Sequence, residues 1–207
     1  MENKILIIGI TGVIGSGKTT VSNILRNFGY SVFDTDKFSK QIIQKEKIVI
    51  NMLTKILKKN IYVNGNVNYK KIGTIFENYP ALEKKFENWY QVFLGNKIKE
   101  KVFSLNNGNR ILFFDTPFLF KKQISNFFDY IWIIESNYTE CFQRIKLRNN
   151  YSNKKIINLI KNSRVKIKKT KKNVIIIKNN SSINQLELKI KKELSKLLKK
   201  IKKLDII

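Results

Sequence analysis

Gly12-Val-Ile-Gly-Ser-Gly-Lys18-Thr19 constrains this chain more than any other stretch. It spells G-x-x-x-x-G-K-T. An apolar run, Lys4-Ile-Leu-Ile-Ile8, precedes it and stops at Gly9. Behind it Val21, Ile24, Leu25 and Phe28 recur at helical spacing, and Gly29 supplies a stop. A buried strand, a glycine-rich turn and an amphipathic helix form the setting in which such a loop wraps a polyphosphate. The glycines let backbone N–H groups converge, and the helix N-terminus adds partial positive charge. Lys18 is then placed to reach the β- and γ-phosphates, and the Thr19 hydroxyl to ligate Mg²⁺. The loop specifies nucleotide binding and leaves the reaction open.

The rest of the chain repeats the alternation. Tyr30-Ser-Val-Phe33, Arg110-Ile-Leu-Phe-Phe-Asp115, Tyr130-Ile-Trp-Ile-Ile134 and Asn173-Val-Ile-Ile-Ile177 read as further strands. Helical patterns follow Asp36, cover Tyr138 to Arg148 and Lys154 to Arg164, and mark a long C-terminal amphipathic helix from Ile183 to Leu204. Strands alternating with helices indicate an α/β fold, a parallel sheet with helices on both faces. Residues 61–108 differ: Ile72, Ile75, Phe76, Phe86, Trp89, Phe93 and Ile98 follow mixed helical spacings, and Pro80 interrupts them once. We read a helical insertion there. The expected core is 1–60 plus 109–207.

Composition bounds the chemistry. The chain has 207 residues, 43% of them hydrophobic, with 41 Lys+Arg against 15 Asp+Glu, a formal charge of +26. It can build a core, so it is no disordered polycation. Without any His, triad chemistry and a His base are excluded, and one Cys allows no internal disulfide. A proton acceptor must then be a carboxylate or something less common. Only five of the basic residues are Arg, leaving 36 Lys, spread along the chain with abundant Asn, Ile, Tyr and Phe. These residues have A/T-rich codons, so base composition accounts for the charge. Readers of nucleic acid favour Arg for bidentate contacts, and no specific nucleic-acid partner is expected. Met1 to Ile14 loosely imitates a signal peptide, yet Gly9, Thr11 and Gly12 interrupt it and no small-residue cleavage site follows. No apolar run approaches the ~18 residues of a membrane span. The expected location is the cytoplasm.

Five acidic or basic positions complete the candidate site. Asp34 and Asp36 lie just beyond the second strand, where ligands of open α/β sheets bind. Asp34 is the expected base, and either residue is also placed to cap the following helix. Asp115 ends an apolar strand and is expected to hold Mg²⁺ through water. Arg144 and Arg148 are four apart on one helix and share a face, suited to neutralising a transferred phosphoryl group.

These residues together resemble the dephospho-CoA kinase family. The chain has Thr11-Gly12-Val13-Ile14-Gly15-Ser16-Gly17-Lys18-Thr19 where members have T-G-G-I-G-S-G-K-S/T, then Asp34-Thr35-Asp36 for D-x-D. Asp115-Thr-Pro117-Phe-Leu119-Phe120-Lys121 is similar to D-V-P-L-L-F-E, Asp129 to the next Asp, Arg144 and Arg148 to R-x-x-x-R, and Ile177 and Asn179 to a late V-I-x-N. The likeness runs along nearly the whole chain in one order. Departures are Val13 at the second Gly, Asn68-Tyr69 at an Asp-Arg, Glu87-Asn88 at a His-Pro, Lys121 at a Glu and Ser163 at a Gln. The phosphate end is kept, and the acceptor end carries the changes.

The resemblance implies a P-loop kinase with a five-stranded parallel sheet, an acceptor-binding insertion near 61–108 and a lid near 144–170. It implies ATP as donor with Mg²⁺, and dephospho-CoA as acceptor, phosphorylated on its ribose 3′-hydroxyl. Residues 12–20, Thr20 included, with Asn179 would bind ATP. Asp34, Asp36 and Leu119 would bind the acceptor, and Lys18, Asp34, Arg144 and Arg148 would act in catalysis. Two other readings remain open: a P-loop kinase for another nucleotide-like hydroxyl, and a basic nucleic-acid-associated ATPase. Leu188–Ile207 reads as a helix packed on the sheet with its Lys face in water, the alternative being an acidic membrane surface.

Overall fold

A computed structural model describes residues 5–58, 61–63, 66–104, 111–116, 127–163 and 173–204. Its centre is β1 (Leu6–Gly12). Parallel to it run β5 (Ile111–Asp115) on one side and β6 (Tyr130–Glu135) on the other, with β7 (Val174–Lys178) beyond β6 and β2 (Ser31–Asp34) beside β5. The order is β2-β5-β1-β6-β7. Parallel neighbours need crossovers long enough for a helix, and α1 (Lys18–Asn27), α6 (Tyr138–Arg148) and α7 (Asn153–Asn162) supply them. Ile10 registers with Asp115 and Gly12 with Ile134, so these C-terminal strand ends share one edge of the sheet.

Alternation along β1 sets what each face buries. Ile8, Ile10, Phe113, Trp132 and Ile134 meet Val21, Ile24 and Leu25 of α1 and Leu186, Ile190, Leu194 and Leu197 of α8 (Ile183–Leu204). The C-terminal helix therefore spends its apolar face on the core, as its spacing predicts, and Lys192 and Lys199 point to solvent. Phe114, one residue on from Phe113, turns the other way and meets Phe33 at 5.2 Å and Phe128 at 5.9 Å between ring centres. Among the described residues no helix is long and apolar enough to cross a membrane.

The chain divides into two compact units, one of residues 1–33, 108–121 and 128–207, the other of 34–107 and 122–127. The division falls after Phe33 rather than after residue 60. The reason is packing: α2 (Thr35–Lys45) packs on α3 (Lys47–Leu57), and α3 on the long α5 (Pro80–Ser104). The second unit also holds α4 (Tyr69–Asn78) and a short hairpin, β3 (Tyr62–Val63) with β4 (Asn66–Val67). That hairpin adds to the helical reading of 61–108: two-residue strands are too short to show a period. In α5, Phe86, Tyr90, Leu94, Ile98 and Val102 are buried at intervals of four, one ridge along the helix.

Tyr90 reaches across this unit to Ser39, its hydroxyl 2.8 Å from Ser39 Oγ and donating to Ser39 O at 3.1 Å. Burial pushes the Tyr90 hydroxyl up to about 12, against a smaller lowering by the Ser39 bond. The folded value lies above the unfolded one, so stability present below pH 10 is lost as pH climbs toward 12. The difference corresponds to about 2–3 kcal/mol. Urea unfolding at pH 9 and pH 11 tests this: the wild-type chain should lose more stability over that interval than Tyr90→Phe, which has no proton to release.

Candidate active site

The glycine-rich loop joins β1 to α1, and its shape explains its glycines. Gly15 (φ +81°) and Gly17 (φ +97°) sit in the left-handed region. A Cβ on Gly15 would stand 2.7 Å from the Cys141 carbonyl oxygen, and one on Gly17 would collide with the Asn179 side-chain amide. Gly12 has a third reason: a Cβ there would run into the Ile134 carbonyl of the neighbouring strand. Between them Ser16 N–H donates to Val13 O at 3.0 Å and closes a turn. Val13 and Ile14 turn their side chains into an apolar cluster of Cys141, Ile145, Ile156 and Ile160.

Gly17 is the N-cap of α1 and gives no side-chain capping bond, and no acidic residue lies in the first turn. The first N–H groups of the helix thus meet no capping side chain, and an N-terminus of this kind attracts an anion. Lys18 opens the helix, its Nζ donating to Gly12 O at 3.3 Å. Thr19 is exposed and Thr20 half-buried in the same turn. Asp115, half-buried at the end of β5, accepts from Ser22 Oγ at 2.8 Å. Ser22 is fully buried and lies three residues after Thr19, so both are on one side of α1. Sequence reading missed Ser22, because a lone Ser inside an amphipathic helix carries no signal. The Thr19 hydroxyl and Asp115 carboxylate are hard oxygen donors, a set that suits Mg²⁺. Among the described residues no cluster of three or more Asp, Glu or Cys could hold a metal.

On the other flank Arg144 and Asn179 grip the loop from outside. The Asn179 side-chain amide donates to Ser16 O at 2.8 Å. Arg144 Nη1 donates to Ser136 Oγ at 3.1 Å and Gly15 O at 3.5 Å, and Nη2 to Asn179 O at 3.2 Å and Glu140 at 3.1 Å. Four of the five guanidinium donors are thereby committed. Sequence spacing suits Arg144 to the transferred phosphoryl group; here its donors reach Gly15 O of the loop and Asn179 O beyond β7, while Arg148, one turn on, is exposed. Ser136 donates to Asn179 O at 2.6 Å, and Asn180 accepts from Asn137 N–H at 2.8 Å, tying the ends of β6 and β7 together. Burial pushes the nearby Cys141 thiol up, Arg144 lowering it less, so it is no ready nucleophile.

The remaining candidates behave differently. Asp34 ends β2 and caps α2, its Oδ1 accepting from Lys37 N–H at 2.9 Å. Asp36 is exposed in the first turn of that helix. Asp129 exchanges two bonds of 2.8 Å with the Ile7 backbone, a structural role at the edge of β1. Leu119 and residues 164–170 of the expected lid lie outside the described residues; its earlier part is α6 and α7.

Comparison with known proteins meets this geometry. The dephospho-CoA kinase family model matches residues 6–185. A dephospho-CoA kinase of Fusobacterium nucleatum is 33% identical over 91% of this chain and 97% of its own. One from Clostridium tetani is 27% identical over 92% and 86%. Among solved structures, a Thermus thermophilus protein superposes with a TM-score of 0.78 at 24% identity, over 94% of this chain and 98% of its own. Dephospho-CoA kinase from Campylobacter jejuni gives 0.66 at 23%, over 95% and 98%. The match takes in the glycine loop, Asp34, Asp115, the arginine pair and Asn179 in a single span, and the chain belongs to the dephospho-CoA kinase family.

Proposed function

We propose that this chain transfers the γ-phosphoryl group of ATP to the ribose 3′-hydroxyl of dephospho-CoA, releasing coenzyme A and ADP as the last step of coenzyme A synthesis. The observation that carries the reading is the loop itself. Two left-handed glycines, an uncapped helix N-terminus and Lys18 converge on a polyphosphate site, within a chain of this family.

Roles follow from the chemistry of each group. The loop amides and Lys18 bind and orient the ATP phosphates. Thr19 and Asp115 would hold Mg²⁺, Asp115 through water, and the cation when bound neutralises charge on the phosphates. Asp34 takes the proton of the 3′-hydroxyl as its oxygen bonds to the γ-phosphorus and the bond to the β–γ bridging oxygen breaks. In a chain without His, a carboxylate is the natural acceptor. Arg148 balances charge on the group in transit. Arg144 works with Asn179 on the loop carbonyls, holding the shape against which the phosphates lie. Residues 61–108, with Asp36 and Leu119, contribute to the acceptor site. Phosphoryl transfer depends mostly on positioning and charge, which is what these residues supply.

The test is direct. Purified chain with ATP, Mg²⁺ and dephospho-CoA should yield coenzyme A, detected by mass. ATP turnover only with some other nucleoside or hydroxyl acceptor would overturn the acceptor assignment.

A further inference from the structure

Ser163 touches the phosphate loop, and the roles above leave it unused. It is the C-cap residue of α7. Its hydroxyl donates to Ile160 O at 3.1 Å and accepts from the Ile14 N–H, 149 residues away in sequence, at 3.1 Å. The carbonyl of the same peptide, Val13 O, accepts from Ser16 N–H at 3.0 Å. Both polar ends of the Val13–Ile14 peptide are therefore bonded. A peptide is planar, so flipping it would break both bonds at once. The two side chains add a third hold, packed against the buried cluster of Cys141 and Ile145 with Ile156 and Ile160 of α7.

We propose that Ser163 is a positioning residue for phosphoryl transfer: its hydroxyl fixes the Val13–Ile14 peptide and so holds the phosphate loop in its nucleotide-binding shape. The proposal rests on the ATP reading above. A bland alternative is that Ser163 only finishes α7. The two separate at the other end of the same helix, where Ser152 Oγ accepts from Lys155 N–H at 3.3 Å as the N-cap. Ser152→Ala weakens α7 without touching the loop.

The experiment titrates MgATP into the full chain by calorimetry and follows exchange of the Ile14 amide. Ser163→Ala should raise the dissociation constant about three- to tenfold, the worth of one hydrogen bond, and expose the Ile14 amide to exchange. Ser163→Thr, which keeps the hydroxyl, should restore both, and Ser152→Ala should leave both near wild type. Unchanged affinity in Ser163→Ala would overturn the proposal, as would an equal loss in Ser152→Ala or a threonine no better than alanine. A wild-type chain that does not bind MgATP would overturn the kinase reading itself, a result distinct from these.

Discussion

Lys18→Ala should lower kcat/KM for coenzyme A formation by about 10²–10³-fold, the effect of deleting one charge-stabilising donor at a transition state. The fold should hardly notice. Lys18 is the first residue of α1, where Ala is a good helix former, and its Nζ donates to Gly12 O at 3.3 Å. On the proposed mechanism, what disappears is a cation beside the transferring phosphates. Loop amides and the helix N-terminus remain, so ATP should still bind, more weakly. Steady-state rates with ATP and dephospho-CoA varied in turn will check this. Loss in kcat as well as KM is expected, because charge moves onto the leaving phosphates only as the bond breaks. Activity within threefold of wild type would remove Lys18 from the mechanism.

The strands and the loop were legible because their signals are local. Ile111–Asp115 and Tyr130–Glu135 are continuous apolar runs ending in a carboxylate, and the structure moves their bounds by no more than a residue. The loop announces itself through glycines at φ values that residues with a side chain rarely adopt. What stayed hidden is what joins distant stretches. Arg144 was readable as a basic residue sharing a face with Arg148. That its donors end on Gly15 O and Asn179 O depends on β7 ending beside the loop, which periodicity does not encode. Ser163 appeared only as a departure from the family pattern, and its partner Ile14 is an ordinary apolar residue by any pattern. The boundary after Phe33 was equally hidden. The helical runs on either side of residue 60 look alike, and only the packing of α3 on α5 assigns them to one unit.

Asp34 carries a structural role and a proposed chemical one, and one substitution separates them. The structure makes it the N-cap of α2, and the proposed mechanism makes it the base. These roles are compatible: an ionised carboxylate has two oxygens and about four acceptor sites, of which the cap uses one. Asn caps a helix about as well as Asp, its side-chain oxygen accepting the same Lys37 N–H bond, but it accepts no proton at neutral pH. Asp34→Asn should therefore unfold at nearly the wild-type urea concentration while turnover falls about 10²–10⁴-fold, the usual worth of a general base. Asp34→Ala should lose the same activity and, in addition, about 1 kcal/mol of stability with the cap. If Asn and Ala both reduced stability and activity in proportion, the cap would be the whole role of Asp34. If Asn kept full turnover, the proton would have to leave by another route, and Asp36, two residues on and exposed in the same helical turn, would be the next carboxylate to replace.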